Sequence, residues 1–218
     1  MKNTKILAGL VLSVSVGLAA SACSSGTNTA STAPGSSNAN SVVTNANTAT
    51  VTNTDGRHTT TTTAGAEDTP ATVKAVFPDA QSFTKQHKDI AKDAVADIEK
   101  ETGGKVPDID HHSYLAFSST GGARKQVGAA TIVKANGKDV VIVYENKGGL
   151  PYIKEIRADG VPAPFLGQFA GKGHDDKFQI GADLKANGVD EAAAKAIALA
   201  VRIDTMTMQT LYGAAHTH

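Results

Sequence analysis

Residues 126–157 read QVGAATIVKANGKDVVIVYENKGGLPYIKEIR, and this stretch predicts the centre of the fold. Its middle segment, Asp139–Glu145, is rich in valine and isoleucine, which favour extended backbone. Strand-like runs lie on either side of it, at Gln126–Lys134 and Tyr152–Arg157. The dipeptide Asn136-Gly137 is a hairpin signal, because both residue types tolerate positive φ. Strands joined by such short turns pair antiparallel, so the sequence predicts a β-meander.

The region before this stretch predicts one more strand and two helices. The strand is Tyr114–Ser118, which a Gly-Gly dipeptide separates from the next run. Thr69 is predicted to cap a short helix that has Pro70 at its first position. The segment His87–Glu101 carries its apolar residues on one helical face and is followed by two glycines, which predicts a second helix.

The longest helix is predicted at the carboxyl end of the domain, from Asp190 to about Tyr212. Asp190 is a favourable N-cap residue. The apolar residues of this segment form two stripes on nearly opposite faces: Ile197, Val201, Met208 and Leu211 on one, and Leu199, Ile203 and Met206 on the other. A helix that is apolar on two sides is buried on two sides. The sequence therefore predicts an α+β domain in which an antiparallel meander packs against this long C-terminal helix.

Charge and cysteine content exclude several classes of protein. The 218 residues contain 21 Lys and Arg and 21 Asp and Glu, so no net charge favours binding to nucleic acid. The single cysteine excludes a disulfide within the chain and a cysteine-rich zinc site. No Ser-His-Asp or Cys-His arrangement is evident, so the sequence does not predict independent catalytic turnover.

The first segment has the properties of a targeting signal. Two lysines precede an apolar run, Ile6–Ala20, which is shorter than a transmembrane helix requires. The end of this run and the three residues after it, together Leu18–Cys23, resemble the lipobox of bacterial lipoproteins. The resemblance implies that residues 1–22 are a signal peptide and that Cys23 becomes the lipidated first residue, anchoring an extracytoplasmic, periplasmic protein to a membrane. By the same resemblance, Ser24 favours the outer membrane where the cell has one.

The next segment, residues 23–69, is predicted to be a disordered tether. It consists mainly of Ser, Thr, Asn, Ala and Gly, and Val42, Val43 and Val51 are its only large apolar residues. So little apolar surface does not offset the cost of ordering the backbone, about 1–2 kcal/mol per residue. The folded domain is therefore predicted over residues 70–213, with a short tail at 214–218.

Three stretches of this domain resemble the FMN-binding domain of extracytoplasmic electron-transfer proteins. Relatives in that family include the flavin-bearing subunits of Rnf-type and sodium-pumping quinone oxidoreductase complexes. Val76–Phe83 resembles the entry segment of the family. Asp159-Gly160 and the later Pro164–Lys172 resemble its turn followed by "Phe-Leu-x-Gln-Phe-x-Gly-Lys". Asp183–Arg202 resembles the element that ends in a Gly-Ala-Thr turn and the helix after it.

The resemblance implies a cofactor and a function. Gly188 and Asp190 are the implied cofactor-binding residues, but Asp190 occupies the position of the threonine that carries FMN as a phosphoester in the family. Any FMN is therefore expected to be non-covalent. The implied function is a redox carrier, or an accessory to a membrane electron-transfer complex. The alternative is a flavin-free binding or structural lipoprotein that keeps the fold.

Two further groups of residues are candidate sites. Histidines and carboxylates occur together at Asp108–His112 and His174–Asp176, and His216 and His218 end the chain, so a zinc or copper site is one interpretation. Adjacent strand residues point to opposite faces, which favours solvated loop residues instead. Gly121–Lys125 has the composition of a phosphate-binding loop, but a glycine pair between two strands is typical of a hairpin turn.

Overall fold

The computed structural model describes residues 40–45, 48–55 and 58–64 as backbone, and residues 69–214 with their side chains. The predicted signal peptide, Cys23 and the two C-terminal histidines lie outside these ranges. Within the described residues, no helix combines the length and the apolar content that crossing a membrane requires.

The strands form one antiparallel sheet in which each strand pairs with its neighbours in sequence, as the meander prediction requires. In chain order the strands are β1 (Asn40–Asn45), β2 (Thr48–Asp55), β3 (His58–Ala64), β4 (Ser82–Asp89), β5 (Asp110–Ser118), β6 (Lys125–Ala135), β7 (Lys138–Lys147) and β8 (Leu150–Ala158). The helices are α1 (Ala71–Val76), α2 (Lys92–Thr102), α3 (Ala163–Leu166), which continues into a 3₁₀ turn (Gly167–Phe169), and α4 (Glu191–Tyr212). The α+β fold with its long C-terminal helix is confirmed.

The turn between β6 and β7 has the predicted hairpin geometry. Asn136 and Gly137 have φ values of 50° and 74°. Positive φ at both central residues is the requirement of a type I′ turn, whose twist matches that of the flanking strands. This turn places Ala135 opposite Lys138 and thereby fixes the register of the central hairpin.

Two local predictions before the central strands are wrong. Residues His87–Asp89 were predicted to begin a helix, but they end strand β4, and α2 begins only at Lys92. The polar residues around His87 are compatible with a helix or a strand. They form a strand because their backbone pairs with β5. Thr69 does not cap α1: the N-cap is Pro70, without a side-chain hydrogen bond, and Thr69 is buried.

Strands β1–β3 lie inside the stretch that was predicted to be a disordered tether. Their backbones pair with one another, and β3 pairs with β4 from Thr60 opposite Lys88 to Ala64 opposite Thr84. Threonine and valine are β-branched and suit extended backbone, so this segment can pair as strands although it has little apolar surface to bury. Apart from Thr69, the rest of the predicted tether lies outside the described residues.

Strand β7 is buried on both faces and divides the core into two layers. Val140, Ile142 and Tyr144 face α4, whereas Val141 and Val143 face α1. On the α1 face the ring of Phe77 lies against Gly128, where an added Cβ would lie 2.5 Å from the nearest ring carbon. The close approach explains the glycine at this strand position.

Helix α4 is buried on two sides, as its two apolar stripes predict. Ile197, Val201 and Met208 pack on the sheet, and Ile203 packs against Ile98 of α2. Leu199 differs from the expectation, since it is 38% exposed. The helix thus lies between the sheet and α2, and any polar residue on its buried faces needs partners there.

Candidate functional site

The buried face of α4 carries a carboxylate that contacts three neighbouring strands. Asp204 is 5% exposed. Its Oδ2 accepts hydrogen bonds from the hydroxyl groups of Thr131 on β6 and Tyr144 on β7, at 2.6 and 2.8 Å. Its Oδ1 lies 3.0 Å from Nε2 of His111 on β5. Both oxygens are therefore satisfied, which a buried charge requires in order not to destabilise the fold.

The Asp204 network consists of Asp204, His111, Thr131 and Tyr144, and it forms because the strand residues share one face of the sheet. Side chains alternate along a strand, so each of the three points toward α4 while its neighbours point toward α1. Thr205, the next residue of the helix, lies 3.2 Å from the Tyr144 hydroxyl and donates to the carbonyl of Val201. The network fixes the position of α4 along the sheet.

The network changes the acidity of the tyrosines near it. Burial raises the pKa of Tyr144 well above its ordinary value, and the negative charge of Asp204 raises it further. Burial likewise raises the pKa of Tyr212, at the end of α4, although its contact with the Ser113 hydroxyl lowers it in part. Both phenols are therefore held in the neutral, hydrogen-bonding form.

A cleft opens next to the network where β5 and β6 separate. Their register runs only from Ser118 opposite Lys125 to Tyr114 opposite Ala130. Beyond this point, residues 110–113 and 131–135 have no partners across the gap, although each segment pairs with its other neighbouring strand. The gap leads into a cleft of about 470 Å³, and this volume is ample for a small ligand.

Apolar and polar residues line the cleft in similar number, and Asp108, Asp110, His112 and Thr207 are among the polar ones. Ile90, Val106, Ile132, Ala200 and Ile203 contribute apolar surface. His111 and Asp204 lie at its inner side, and the exposed Lys105 and Lys134 lie at its edge. A concave site that combines apolar surface with polar groups is typical of a small-molecule site.

Two of the residues that line the cleft, His111 and Asp110, each have a buried polar atom without a hydrogen-bond partner within residues 69–214, and His111 is the one that Asp204 holds in place. Its side chain is only 10% exposed, and Nε2 is engaged by Asp204. Its other ring nitrogen, Nδ1, is buried and has no hydrogen-bond partner within residues 69–214. In a neutral imidazole whose Nε2–H donates to a carboxylate, Nδ1 is an acceptor. In that form the ring has one acceptor position that no residue within 69–214 occupies.

A second group of side chains lies on the opposite face of the sheet. Asp110 Oδ2 is 2.9 Å from Nε2 of His112 and 3.2 Å from Nδ1 of His87. The two imidazole rings pack edge to face with their centroids 4.1 Å apart. We call these three residues the His-Asp-His cluster. It borders the cleft, because Asp110 and His112 also line the gap between β5 and β6.

The His-Asp-His cluster contains an acidic carboxyl group. Partial burial alone would raise the pKa of Asp110, but the hydrogen bonds and positive charge of His112 and His87 outweigh it, so the net pKa is below its ordinary value. Asp110 is therefore present as a carboxylate across the physiological pH range.

The structure separates the other histidines that the sequence suggested as metal ligands. His111 points away from His112 into the Asp204 network, as strand alternation requires. Asp108 accepts a hydrogen bond from the backbone of Asp110 and so shapes the start of β5. His174 is paired with Asp175, and it lies by α2 in a different part of the fold.

The residues that the flavin resemblance implies do not form a phosphate site. Gly188 has a φ of 87° in the turn before α4, and Asp190 caps the helix as predicted. One oxygen of Asp190 accepts from the backbone N–H groups of Ala192 and Ala193, at 3.0 and 3.2 Å. These amides would otherwise attract a phosphate at the helix start. With a carboxylate already bound to them, the turn does not fit FMN.

The stretch that resembles "Phe-Leu-x-Gln-Phe-x-Gly-Lys" has a packing role. Phe165 and Phe169 are fully buried, with rings edge to face at 5.4 Å. The amide of Gln168 donates to the carbonyl of Lys185 and accepts from its N–H, both at 2.8 Å. This stretch therefore attaches the loop before α4 to the core.

The glycine pair Gly121-Gly122 belongs to the connection between β5 and β6, which agrees with the hairpin interpretation. Both glycines have positive φ, at 92° and 90°. Arg124 stacks over the ring of Phe117 at 3.4 Å and donates to the Thr84 hydroxyl. The guanidinium therefore has protein partners already.

Comparison with protein-family models, with curated proteins and with solved structures found no match. The residues of the site are accordingly assigned from geometry. Sequence reasoning missed Thr131, Tyr144, Asp204 and His87. For Asp204 a signal is present: it is a lone acid among Ile203 and the later apolar residues of α4, which is unusual for a buried helix face.

The raised pKa of Tyr144 predicts a specific loss of stability at alkaline pH. Above about pH 10 an unfolded tyrosine loses its proton while the folded one keeps it, so the free energy of unfolding falls as pH rises. Tyr144→Phe should cost about 1.5–3 kcal/mol at neutral pH, since a hydrogen bond to a buried charge is lost. It should also flatten the decline above pH 10. Urea unfolding at several pH values measures both effects, with Tyr152→Phe as the control. An equally steep decline in Tyr144→Phe would contradict the prediction.

Proposed function

We propose that this protein is a lipid-anchored, extracytoplasmic binding protein without flavin, which takes up a small ligand in the cleft between β5 and β6. The observation that carries the proposal is His111: it lines the cleft, Asp204 fixes its ring, and its Nδ1 retains one hydrogen-bonding position. A buried polar atom without a partner calls for a physical explanation, and a ligand provides one.

The chemistry of the cleft defines the class of ligand. Nδ1 accepts, so the ligand supplies an O–H or N–H donor at its buried end. The apolar wall formed by residues such as Val106, Ile132 and Ile203 favours a compact apolar body. Because Lys105 and Lys134 are each paired with an acidic neighbour, a charged ligand gains little from the rim.

In this proposal the membrane anchor is the lipid on Cys23, which the lipobox resemblance of Leu18–Cys23 implies. Several acyl chains, at about 0.8 kcal/mol for each buried CH₂, hold a protein stably at a membrane. The predicted membrane contact is through lipid, and the domain itself would face the extracytoplasmic space.

The electron-transfer function that the family resemblance implies is the other interpretation. It would make the protein a redox carrier, or an accessory to a membrane complex, with FMN supplying the redox chemistry. The contacts of Asp190 with Ala192 and Ala193 count against it, because they occupy the amides that a phosphate would need. We therefore favour the flavin-free function.

Indole and 1-methylindole test the cleft, because they share an apolar body and only indole has an N–H donor. Indole should shift the backbone amide signals of His111 and Thr207 in ¹H–¹⁵N NMR spectra. 1-Methylindole should bind about three- to tenfold more weakly, since one hydrogen bond is lost. Ala200→Phe, which fills the cleft, should abolish both effects, and the same change at the exposed Ala196 should leave them intact. Equal binding of the two probes, or binding by Ala200→Phe, would contradict the proposal.

Replacing the lipidated residue tests the anchor. Cys23→Ala should prevent lipid attachment and leave an uncleaved or mislocalised precursor, because no other side chain in the segment offers a thiolate nucleophile. Membrane fractions washed with high salt should retain the wild type and Ser25→Ala but not Cys23→Ala. Equal retention of all three proteins would show that Cys23 is not the anchor.

Calorimetric titration with FMN separates the two functions. The wild type should bind no FMN. The double variant Val189→Ala with Asp190→Thr restores a Gly-Ala-Thr turn and removes a charge at the helix start, an effect of about 0.3–1 kcal/mol. It should bind FMN more tightly than the wild type, whereas Asp79→Thr, which removes an exposed carboxylate elsewhere, should not. Tight binding by the wild type alone would show that Asp190 contacts the flavin, and would favour the electron-transfer function.

A further inference from the structure

We propose that the His-Asp-His cluster, formed by His87, Asp110 and His112, binds a divalent transition-metal ion such as Zn²⁺ or Cu²⁺. The site goes beyond the proposed function, because a metal ion here needs no ligand in the cleft and no lipid anchor. Its three donor atoms lie within 4.8 Å of one another, on the sheet face opposite α4.

Strand pairing holds the three side chains on one face. His87 on β4 and His112 on β5 are directly opposite in the register, and Asp110 precedes His112 by two residues. Directly paired residues of antiparallel strands have their Cβ atoms about 4.5–5.5 Å apart, and residues two apart share a face. The relative positions of the ligands are therefore set by backbone hydrogen bonding rather than by a flexible loop.

Two of the three distances between the donor atoms agree with those around a bound ion. Zinc lies about 2.0–2.2 Å from imidazole nitrogen and carboxylate oxygen, which places neighbouring donors of one ion about 3.0–3.5 Å apart. Oδ2 of Asp110 lies 2.9 Å from Nε2 of His112 and 3.2 Å from Nδ1 of His87. The third separation, between the two imidazole nitrogens, is at most 4.8 Å, so binding an ion requires the rings to turn toward it by about an ångström or less each.

The way the carboxylate is used favours a metal over a pair of ordinary hydrogen bonds. Both imidazoles approach the same oxygen of Asp110, whereas its other oxygen, Oδ1, is buried and has no partner within residues 69–214. Each carboxylate oxygen has free lone pairs, so Oδ1 remains available to an ion in addition to Oδ2. Two imidazole nitrogens and one carboxylate oxygen therefore lie close enough together to share one ion.

The ligand types and their exposure define the kind of ion. Two imidazole nitrogens and one carboxylate oxygen suit zinc and copper, and they suit magnesium and calcium poorly. Three protein ligands leave at least one coordination position open to water, unlike a closed structural site. The side chains of His87, Asp110 and His112 are 30%, 40% and 41% exposed, so the ion remains in contact with solvent.

The neighbouring residues orient this cluster without joining it. Asp108 accepts a hydrogen bond from the Asp110 backbone N–H at 3.0 Å, and this contact sets the start of β5. His111, between the two β5 ligands, is bound to Asp204 on the other face. Strand β5 is thus attached to α4 directly behind the proposed ion, which limits how far Asp110 and His112 can move apart.

Isothermal titration with ZnCl₂ and CuSO₄ tests the site, with MgCl₂ as the negative control. The reference protein carries His216→Ala and His218→Ala, because the terminal histidines could bind metal by themselves. It should bind one equivalent of zinc or copper and no magnesium. His87→Gln, Asp110→Asn and His112→Gln should each weaken binding by about tenfold or more, since a first ligand is lost in each. His174→Gln, a histidine outside the cluster, should bind like the reference protein.

NMR signals of the imidazole rings provide a second test that uses only the reference protein, so it does not depend on how well the variants fold. In the reference protein, zinc should shift the ring signals of His87 and His112 and should leave that of His174 unchanged. The midpoint of thermal unfolding should rise with zinc, because an ion that binds only the folded state stabilises it. The proposal is overturned if the reference protein binds no transition metal, if the cluster variants bind as it does, or if the shifted ring signals belong to other histidines.

Discussion

The structure depends on one buried carboxylate. Asp204 is the point at which α4 is joined to β5, β6 and β7, through one hydrogen bond to each strand. Removing one hydrogen-bond partner of a buried charge lowers the free energy of unfolding by more than the net contribution of that hydrogen bond. The reason is that the charge then stays buried without solvation. The helix therefore has one position along the sheet at which all four side chains are satisfied. Residues such as Ile197 and Val201 stabilise the fold by burying apolar surface between α4 and the sheet. This burial is not directional, so it does not distinguish the observed position of α4 from one displaced by a helical turn.

The two proposed sites follow from the same strand. His111 faces α4 and its neighbours Asp110 and His112 face the other way, so one short segment contributes to the Asp204 network and to the His-Asp-His cluster. The separation of β5 from β6 beyond Tyr114 gives both groups access to the cleft. The contact that holds the ring of His111 on the α4 face of the sheet therefore also limits the movement of Asp110 and His112, the proposed metal ligands, on the opposite face.

Local signals were sufficient for much of the fold. The Asn136-Gly137 turn and the Asp190 cap depend on a few adjacent residues, and both were predicted correctly. His87 was misassigned because its polar surroundings suit a helix or a strand, and only the partner strand decides. The site was largely beyond sequence reasoning, which compared histidines that are adjacent in the chain. The clusters instead join residues on different strands, such as His87 with His112, or join a strand to a helix, such as Thr131 with Asp204.

The long sequence separation of the Asp204 contacts has a kinetic consequence. The meander can form from successive hairpins, each closing a short loop, and local pairing of this kind is fast. The hydrogen bonds of Asp204 join residues that are 60, 73 and 93 positions apart in the sequence. They form only after α4, which follows all the strands in the chain, has been synthesised. Until it arrives, Tyr144 and the apolar face of β7 remain uncovered and prone to association with other chains. We therefore expect docking of α4 to be the late, rate-limiting event of folding, and a chain shortened within this helix to aggregate rather than to lose only its last element.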